Sequence, residues 1–363
     1  ISNILFMIIT KLNISFYKKI KKLINKNGFE IPKYYFWTKL WKNDKKIDIG
    51  DGIFFKDKLV GYHSYFEKKL VYNKKVYKIL VSSNWNVSKK YRNYSIFLIN
   101  KFFSEKNVIL LTTTANFKVS EIWKSLGAKE INNYGSRKIY FKILNNENFI
   151  NIIIKKKGYN LLYLLKPFLV FLLFTYQVLV NFKKKEKKLN YKIQKNTDED
   201  IESFNVKYEK NCKFPIEKRS GSEISNYLNI IKHNKEIFVI KIYKKNKFVG
   251  YSILVKEKIK KLKIFRMYLA EIRLENSNQN TVNEIFENLS EFSKKKNCAL
   301  IEYRNLKISI LSKLYKKNYF LRHIENNPYL IKINSALDKK VNESIRKNWE
   351  TSFLDGDCLL WDT

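Results

Sequence analysis

The chain has 363 residues, of which 45% are hydrophobic and 29% are charged. This composition excludes a disordered chain, and the length predicts about two packed domains. The formal net charge is +39, but the lysines are spread along the whole chain. Gly (10) and Pro (4) are scarce, as in proteins of AT-rich genomes. Because the charge then reflects overall composition, we expect no nucleic-acid partner.

The first third of the chain predicts strands followed by alternating helices and strands. Apolar runs on both sides of Lys56 and Asp57 indicate a hairpin with a tight polar turn. Gly127 marks the end of a helix, as glycine commonly does. The predicted elements are the hairpin 52–66, strand 75–87, helix 95–106, strand 107–114, helix 117–127 and a closing strand 136–143.

An apolar stretch, residues 159–182, follows this unit and is interrupted by Lys166 and Pro167. It approaches the ~20 residues that a membrane-spanning helix needs. Lysine clusters flank both ends, so charge gives no orientation. Because a single crossing would separate two halves that build one site, we expect a helix buried between domains or lying in the membrane interface, with peripheral contact to anionic lipids.

The second half predicts a similar order of elements. A strand begins at Tyr191, and Thr197 is an expected N-cap before a helix with acidic residues in its first turn. The elements that follow are the hairpin 236–257, strand 265–274, helix 282–296, strand 299–304 and helix 308–318.

The two halves share short phrases at one constant offset in the numbering. "KDKLVGY" begins at Lys56 and "KNKFVGY" at Lys245, about half of the chain later. "NFKVS" begins at Asn116 and "NLKIS" at Asn305, so the difference 305 minus 116 equals the difference 245 minus 56. A period this long indicates a duplicated domain rather than a solenoid repeat.

We therefore predict an α/β fold with two tandem units, each a mixed central sheet flanked by helices, joined by an apolar helical linker. Because the chain begins with Ile1, we expect the first domain to be truncated at its start. The predicted boundaries are 1–150 for the first domain, 151–188 for the linker, 189–337 for the second domain and 338–363 for a tail with an acidic loop.

The order of these motifs resembles the GNAT superfamily of acyl-CoA-dependent N-acyltransferases. "KDKLVGY" resembles the central hairpin, "WNVSKKYRNYSIFLI" (85–99) the acyl-CoA segment and "TTANFKVSEIWKSLG" (113–127) the closing helix. The resemblance implies that a diphosphate binds where a helix starts beside Arg92. Ser95 takes the family's first glycine position, and the bulky Phe97 takes the second.

The resemblance also implies a split in the sheet that holds the pantetheine arm. Thr113 and Thr114 belong to one lip of this split, although ordinary strand propensity explains them equally well. The co-substrate is expected to be acetyl-CoA or a longer acyl-CoA. The predicted cofactor-binding residues are Trp85, Asn86, Val87, Arg92, Asn93, Tyr94, Ser95, Ile96 and Asn116.

Acyl transfer needs a base for the amine and an acid for the departing thiolate. His63 and Glu67 alternate on one side of a strand, and Tyr315 lies near the family's usual acid position. Asp355 and Asp357 are candidates for acceptor binding or for a base. A buried strand histidine, a packed aromatic residue and a solvated turn are the ordinary structural explanations for these residues.

The cysteines Cys212, Cys298 and Cys358 and the three histidines are too widely spaced for a disulfide framework or a metal motif. We therefore expect a reducing, cytoplasmic location and no metal.

The predicted function is transfer of an acyl group from acyl-CoA to an amine. The segment 348–361, "NWETSFLDGDCLLW", resembles the tails of GNAT-like proteins associated with envelope polysaccharide synthesis, which implies an amino sugar, a glycan or a lipid-linked intermediate as acceptor. The alternatives are a Fem-type transferase that uses aminoacyl-tRNA and a non-catalytic GNAT-like scaffold at the membrane surface.

Overall fold

The structure is a computed structural model. It describes residues 7–28, 48–131, 138–158, 160–181, 191–194, 199–221, 224–225, 235–244, 246–259, 262–275, 278–303, 310, 312–314, 319–323, 328–334, 339–349 and 351–352.

The first sheet is mixed and contains mostly strands from the first half of the chain. Its order is β1-β2-β3-β4-β5-β15-β6, with the short β9 paired to β3. The strands from the first half are β1 (Met7–Leu12), β2 (Gly50–Phe55), β3 (Lys58–Tyr72), β4 (Lys75–Val87), β5 (Val108–Thr112) and β6 (Lys129–Glu130). Those from the second half are β9 (Ile216–Glu217) and β15 (Leu330–Asn334).

Helices cover both faces of this sheet. Apolar residues of α1 (Tyr17–Lys26) pack against Leu12 and Tyr62 on one face. On the other face, α2 (Ser95–Phe103) and α3 (Phe117–Ser125) pack around the fully buried Trp123. The helix α8 (Lys339–Asn348), near the C-terminus, adds Ile345 to the core between β4, β5 and β15.

The second sheet has the order β14-β7-β13-β12-β11-β10-β8. Its faces are covered by α6 (Glu199–Asn211) and by α7 (Gln279–Lys295). Its strands are β7 (Lys138–Ile143), β8 (Tyr191–Gln194), β10 (Lys235–Lys244), β11 (Lys247–Lys258), β12 (Phe265–Leu274), β13 (Cys298–Tyr303) and β14 (Phe320–His323). Between the halves lie α4 (Asn146–Lys157) and α5 (Lys166–Asn181).

Besides the two-residue β9, the two sheets exchange one strand each. β7, from the first half, pairs with β13 and β14, and β15, from the second half, pairs with β5 and β6. The expectation that 136–143 closes the first unit is therefore corrected, because β7 pairs in the other sheet. The period-2 pattern identifies a strand but does not specify its partner. The predicted domain boundaries stay a prediction.

Apart from the exchanged strands, the two sheets have the same order. β1-β2-β3-β4-β5 corresponds to β8-β10-β11-β12-β13, and each series ends with an exchanged strand and a short strand. The irregularities match as well. Val60 in β3 and Val249 in β11, which are separated by the offset of the repeated phrases, are both bulged out of the pairing with the preceding strand. Matching order and matching bulges are what a duplicated unit predicts.

The glycines of the two repeated phrases differ in their surroundings. Gly61 and Gly250 occupy the same place in it, yet Gly250 has φ +154°, where a Cβ atom would lie 2.1 Å from the carbonyl oxygen of Arg273. A Cβ atom on Gly61 would instead lie 3.0 Å from the side chain of Val87, which can shift.

We predict that Gly250→Ala destabilises the protein by about 3 kcal/mol, because both the backbone angle and the close approach exclude a side chain. The matched change Gly61→Ala should cost about 1 kcal/mol, as a small overpacking change does. Urea unfolding of both variants measures the difference, and equal losses would contradict the constrained backbone at Gly250.

Candidate functional site

The site is built around a split between two parallel strands of the first sheet. β4 and β5 pair at only three positions, Ile79 to Val81 with Ile109 to Leu111. Beyond Val81, β4 continues to Val87 and pairs only with β3, whereas β5 ends at Thr112. In the described part of the chain, no strand pairs with the β5-facing edge of β4 beyond Val81. The sequence-based expectation of a split is met by this geometry.

A β-bulge accompanies the split. Tyr65 pairs with Ser82 and Ser64 pairs with Asn84, so Ser83 is the extra residue. The Ser64 hydroxyl stabilises the bulge, since it accepts a hydrogen bond from the Asn84 amide at 3.0 Å and approaches the Asn84 carbonyl at 3.2 Å. A bulge bends its strand and increases the local twist, which turns β4 away from β5.

The second sheet repeats this feature. Among the described residues, which stop at Tyr303 on β13, the last pair of β12 with β13 is Leu269 with Tyr303, and Ala270 is the bulged residue. Ser64 and Ile253 are separated by the offset of the repeat, so their partners Asn84 and Glu271 occupy equivalent positions. By the same correspondence, Asn86 is equivalent to Arg273.

The lips of the first split are neutral and partly engaged. Asn86 is buried, and its side-chain oxygen accepts a hydrogen bond from Asn27, which also donates to the Val87 carbonyl at 3.2 Å. Asn27 ends α1, so the C-terminus of α1 is held against β4. On the other lip, the Asn116 side chain caps α3 by accepting a bond from the Val119 amide at 3.0 Å.

The helix beside the split starts earlier than expected. Helical turns over Lys89–Tyr94, which are interrupted by a kink at Tyr91 (φ −115°, ψ 17°), precede α2, and the Ser95 amide donates to the Arg92 carbonyl. Ser95 is therefore already inside the helical segment and does not cap it. The ring of Tyr91 packs against Phe55 with centroids 5.5 Å apart, which holds this segment against β2.

The predicted turn residues lie at the surface beside this helix start. Arg92, Asn93 and Ile96 are exposed, and Tyr94 is half-buried. Phe97 is 41% exposed and stacks on Tyr94 with ring centroids 6.3 Å apart. The bulky residue at the family's second glycine position is thus directed to the surface.

His63 lies next to the first residue of the split. Its Nε2 is 2.8 Å from the Ser82 hydroxyl, and its ring packs edge-on against Phe102 at 4.6 Å. The imidazole is fully buried, and burial, followed by the charge of Lys11, lowers its pKa to about 3. A neutral imidazole of such low pKa is a weak base.

A charged cluster, which sequence analysis missed, lies beside the aromatic rings that enclose His63. Lys11 contacts Asp51 at 3.3 Å, Glu105 at 2.8 Å and the Tyr65 hydroxyl, which in turn donates to Asp51 at 2.9 Å. Burial raises the pKa of both Asp51 and Tyr65. The cluster joins residues of three strands and of the loop after α2, which are far apart in sequence, so no local pattern predicts it.

The other predicted catalytic residues are dispersed or undescribed. Glu67 is exposed and forms an ion pair with Lys78 at 2.8 Å. Tyr315, Asp355 and Asp357 lie outside the described residues. The nearest described residue before the acidic loop is Ser352, which is buried and donates to Glu271 at 2.7 Å.

A second buried charge cluster fills the equivalent position in the second sheet. Glu271 lies 3.6 Å from Arg219, which also pairs with Glu217, and Lys68 of β3 reaches Glu217 at 2.5 Å. Arg273 contacts Glu209 at 3.1 Å. Where the first split has the neutral Asn84 and Asn86, the second has an ion-pair network and the C-terminal segment.

Comparison with solved structures places this arrangement among known folds. A GCN5-related N-acetyltransferase from Anabaena variabilis matches with a TM-score of 0.60 at 10% identity, over 90% of this chain and 73% of that chain. A probable N-acyltransferase from Enterococcus faecalis matches with a TM-score of 0.60 at 11% identity, over 90% and 72%. This is the GNAT fold.

The N-myristoyltransferase of Saccharomyces cerevisiae, solved with bound myristoyl-CoA and inhibitors, is a third match. It has a TM-score of 0.50 at 13% identity and covers 96% of this chain and 86% of that chain. The predicted α/β fold class is confirmed, and the coverage is consistent with two GNAT-like units in tandem. No family model matches the sequence, and no curated protein sequence matches it either.

Within the described ranges, no group of His, Cys, Asp and Glu side chains is arranged to hold a metal ion. In the same residues, no helix combines the length and the apolar character needed to cross a bilayer.

The low pKa of His63 predicts a pH-dependent stability. The unfolded state takes up a proton near pH 6.5 and the folded state only near pH 3, so stability is full above pH 6.5 and falls as the pH decreases through this window. Between pH 7 and pH 5 the loss from His63 should be about 2 kcal/mol. Urea unfolding of wild type and His63→Gln measures it: a variant with the wild-type pH slope would contradict a buried neutral His63.

The buried network predicts a large effect of Glu217→Gln. The substitution removes the carboxylate between Lys68 and Arg219 and leaves buried cations undercompensated, which should cost about 3–5 kcal/mol. The matched control Glu121→Gln, which breaks an exposed ion pair with Lys124 (3.1 Å), should cost under about 1 kcal/mol. Equal effects in chemical unfolding would mean that the cluster is solvated.

Proposed function

We propose that this protein is an acyltransferase that moves an acyl group from acyl-CoA to an amine. The observation that carries the proposal is the split between β4 and β5 after Val81 and Leu111, in a chain with the GNAT fold. An unpaired strand edge offers backbone donors and acceptors to an extended ligand, in the manner of strand addition. The amide-containing pantetheine arm of acyl-CoA has the matching chemistry.

The first unit is the proposed donor site, and the contrast between the two splits supports this choice. The split of the first unit has neutral lips, whereas side chains of Glu271, Arg273 and Ser352 fill the equivalent place in the second. The diphosphate of the donor is assigned to the start of the helical segment at Lys89, where Lys89, Lys90 and Arg92 are exposed cations. The remaining predicted cofactor residues keep their assignment as part of this proposal.

In the proposed reaction the amine nitrogen attacks the thioester carbonyl carbon. A C–N bond forms, the C–S bond breaks, the nitrogen loses a proton and the thiolate gains one. Glu67, Tyr315, Asp355 and Asp357 stay candidates for these proton transfers. His63 is adjacent to the split, but its low pKa favours a structural role among the neighbouring aromatic rings rather than a role in accepting the proton.

We assign the acceptor to the junction between the two units, where the C-terminal segment enters. Trp349 packs on the β4–β5 core of the first sheet, and Ser352 reaches Glu271 of the second. The acceptor class, an amino sugar or a lipid-linked envelope intermediate, rests on the resemblance of the tail, most of which lies outside the described residues. The cytoplasmic location rests on the cysteine pattern and on the supply of acyl-CoA.

Titration with acetyl-CoA and with longer acyl-CoAs, followed by thermal unfolding and calorimetry, tests the proposal. We expect stabilisation of about 2.7 kcal/mol at a ligand concentration of about 100 times Kd. Arg92→Ala should weaken binding about tenfold, because a charge-assisted contact to phosphate is lost. The matched control Lys101→Ala, at the other end of α2, should bind like wild type.

Two outcomes would count against the proposal. Absence of binding by wild type to every acyl-CoA tested would favour the non-catalytic scaffold. Equal weakening by Arg92→Ala and Lys101→Ala would remove the diphosphate from the helix start and leave only general electrostatic attraction.

A further inference from the structure

The helix α5 presents a continuous apolar surface to solvent. Its inward side is half-buried against the protein, whereas the side chains on its outward side are exposed, Leu179 by 71% and Phe171 by 63%. We call these side chains the outer face of α5. The outer face consists of Phe168, Phe171, Leu172, Phe174, Thr175, Tyr176, Val178 and Leu179.

Thr175 carries the one aliphatic hydroxyl on the outer face, and this hydroxyl has its hydrogen-bond acceptor within the helix. Its hydroxyl donates to the Phe171 carbonyl of the preceding turn at 3.0 Å. Two exposed leucines, Leu164 and Leu165, extend the apolar surface before the helix begins. Exposed apolar surfaces of this extent are rare on monomeric proteins and indicate an interaction site.

The inward side fixes the direction of the helix. Lys166 forms an ion pair with Glu147 of α4 at 2.6 Å, and the Gln177 side chain donates to the Ile143 carbonyl of β7 at 3.4 Å. At the margin of the outer face, the ring of Tyr176 contacts that of Phe320 in β14 at 5.5 Å. These contacts hold the other side of the helix against α4, β7 and β14.

The charge around α5 selects the kind of partner. Between Glu147 and Glu186 the sequence contains seven lysines and no acidic residue. Six of them form the clusters 155–157 and 183–185 at the two ends of the apolar stretch. An apolar helix whose sequence is flanked by lysines has the composition that suits an anionic lipid surface, where each basic residue near the headgroups adds about 1 kcal/mol.

We propose that the outer face of α5 docks this protein on the surface of an anionic membrane. In the proposed arrangement the helix lies in the interface: its 16 described residues span about 24 Å, less than the ~30 Å of a hydrocarbon core. The docking positions the two units beside a lipid surface, and it does not depend on the proposed acyl transfer.

Sedimentation of the full chain with lipid vesicles, without any acyl-CoA, tests the proposal. Vesicles of one part phosphatidylglycerol to two parts phosphatidylcholine should bind the protein, and pure phosphatidylcholine should bind it much more weakly. The double variant Phe171→Ser/Leu179→Ser should bind at least about tenfold more weakly, since two exposed apolar side chains no longer enter the lipid. The matched control Phe117→Ser, at a phenylalanine on α3 that is 78% exposed, should bind like wild type.

The double variant must keep the wild-type melting temperature, as expected for outward-facing side chains. Wild-type binding by the double variant, or equal binding of wild type to the two vesicle types, would overturn the proposal. A third result would also overturn it: light scattering shows that wild type is a dimer and the double variant a monomer, and vesicles bind neither protein. The outer face would then be covered by a second copy of the chain.

Discussion

The architecture depends on the reciprocal exchange of β7 and β15. Each sheet is completed by a strand from the other half, and β15 contributes Leu330 and Ile331 to the core beside β5. Removing either strand would expose the edge of a central apolar sheet, which is unfavourable in water. The exchange therefore makes the two halves one cooperative structure, although each has its own central sheet and its own helices.

The ion-pair network beside β9 adds a second connection. β9 follows α6 in the second half of the chain yet pairs with β3 of the first sheet, and Glu217 brings its carboxylate between Lys68 and Arg219. Buried ion pairs give little net stability compared with apolar packing, but they tolerate few alternative arrangements. In this protein they hold the two halves in one register, which in turn brings the C-terminal segment to Glu271.

The two sheets carry the same backbone irregularity with different chemistry. The same bulge follows the same parallel pairing in both sheets, at Ser83 and at Ala270. Neutral amides occupy one split and compensated charges the other. The charged groups in the second sheet, Glu271 and Arg273 among them, are almost completely buried, so the protein itself surrounds them. This contrast is the reason that the proposed donor site lies in the first unit.

The sequence by itself determined the α/β class, the repeated phrases that indicate two similar units, and the apolar character of 159–182. These properties follow from local periodicity and from repeated phrases such as "KDKLVGY". They can be recognised without knowing which residues are in contact in the fold. Only the tertiary structure decided that β7 pairs in the second sheet, that the helix beside Arg92 starts at Lys89, and that His63 is enclosed by Phe102, Tyr65 and Trp85. The physical reason is that contacts between residues distant in sequence decide which strands pair, where helical turns begin and which side chains are buried. The local sequence pattern does not specify those contacts.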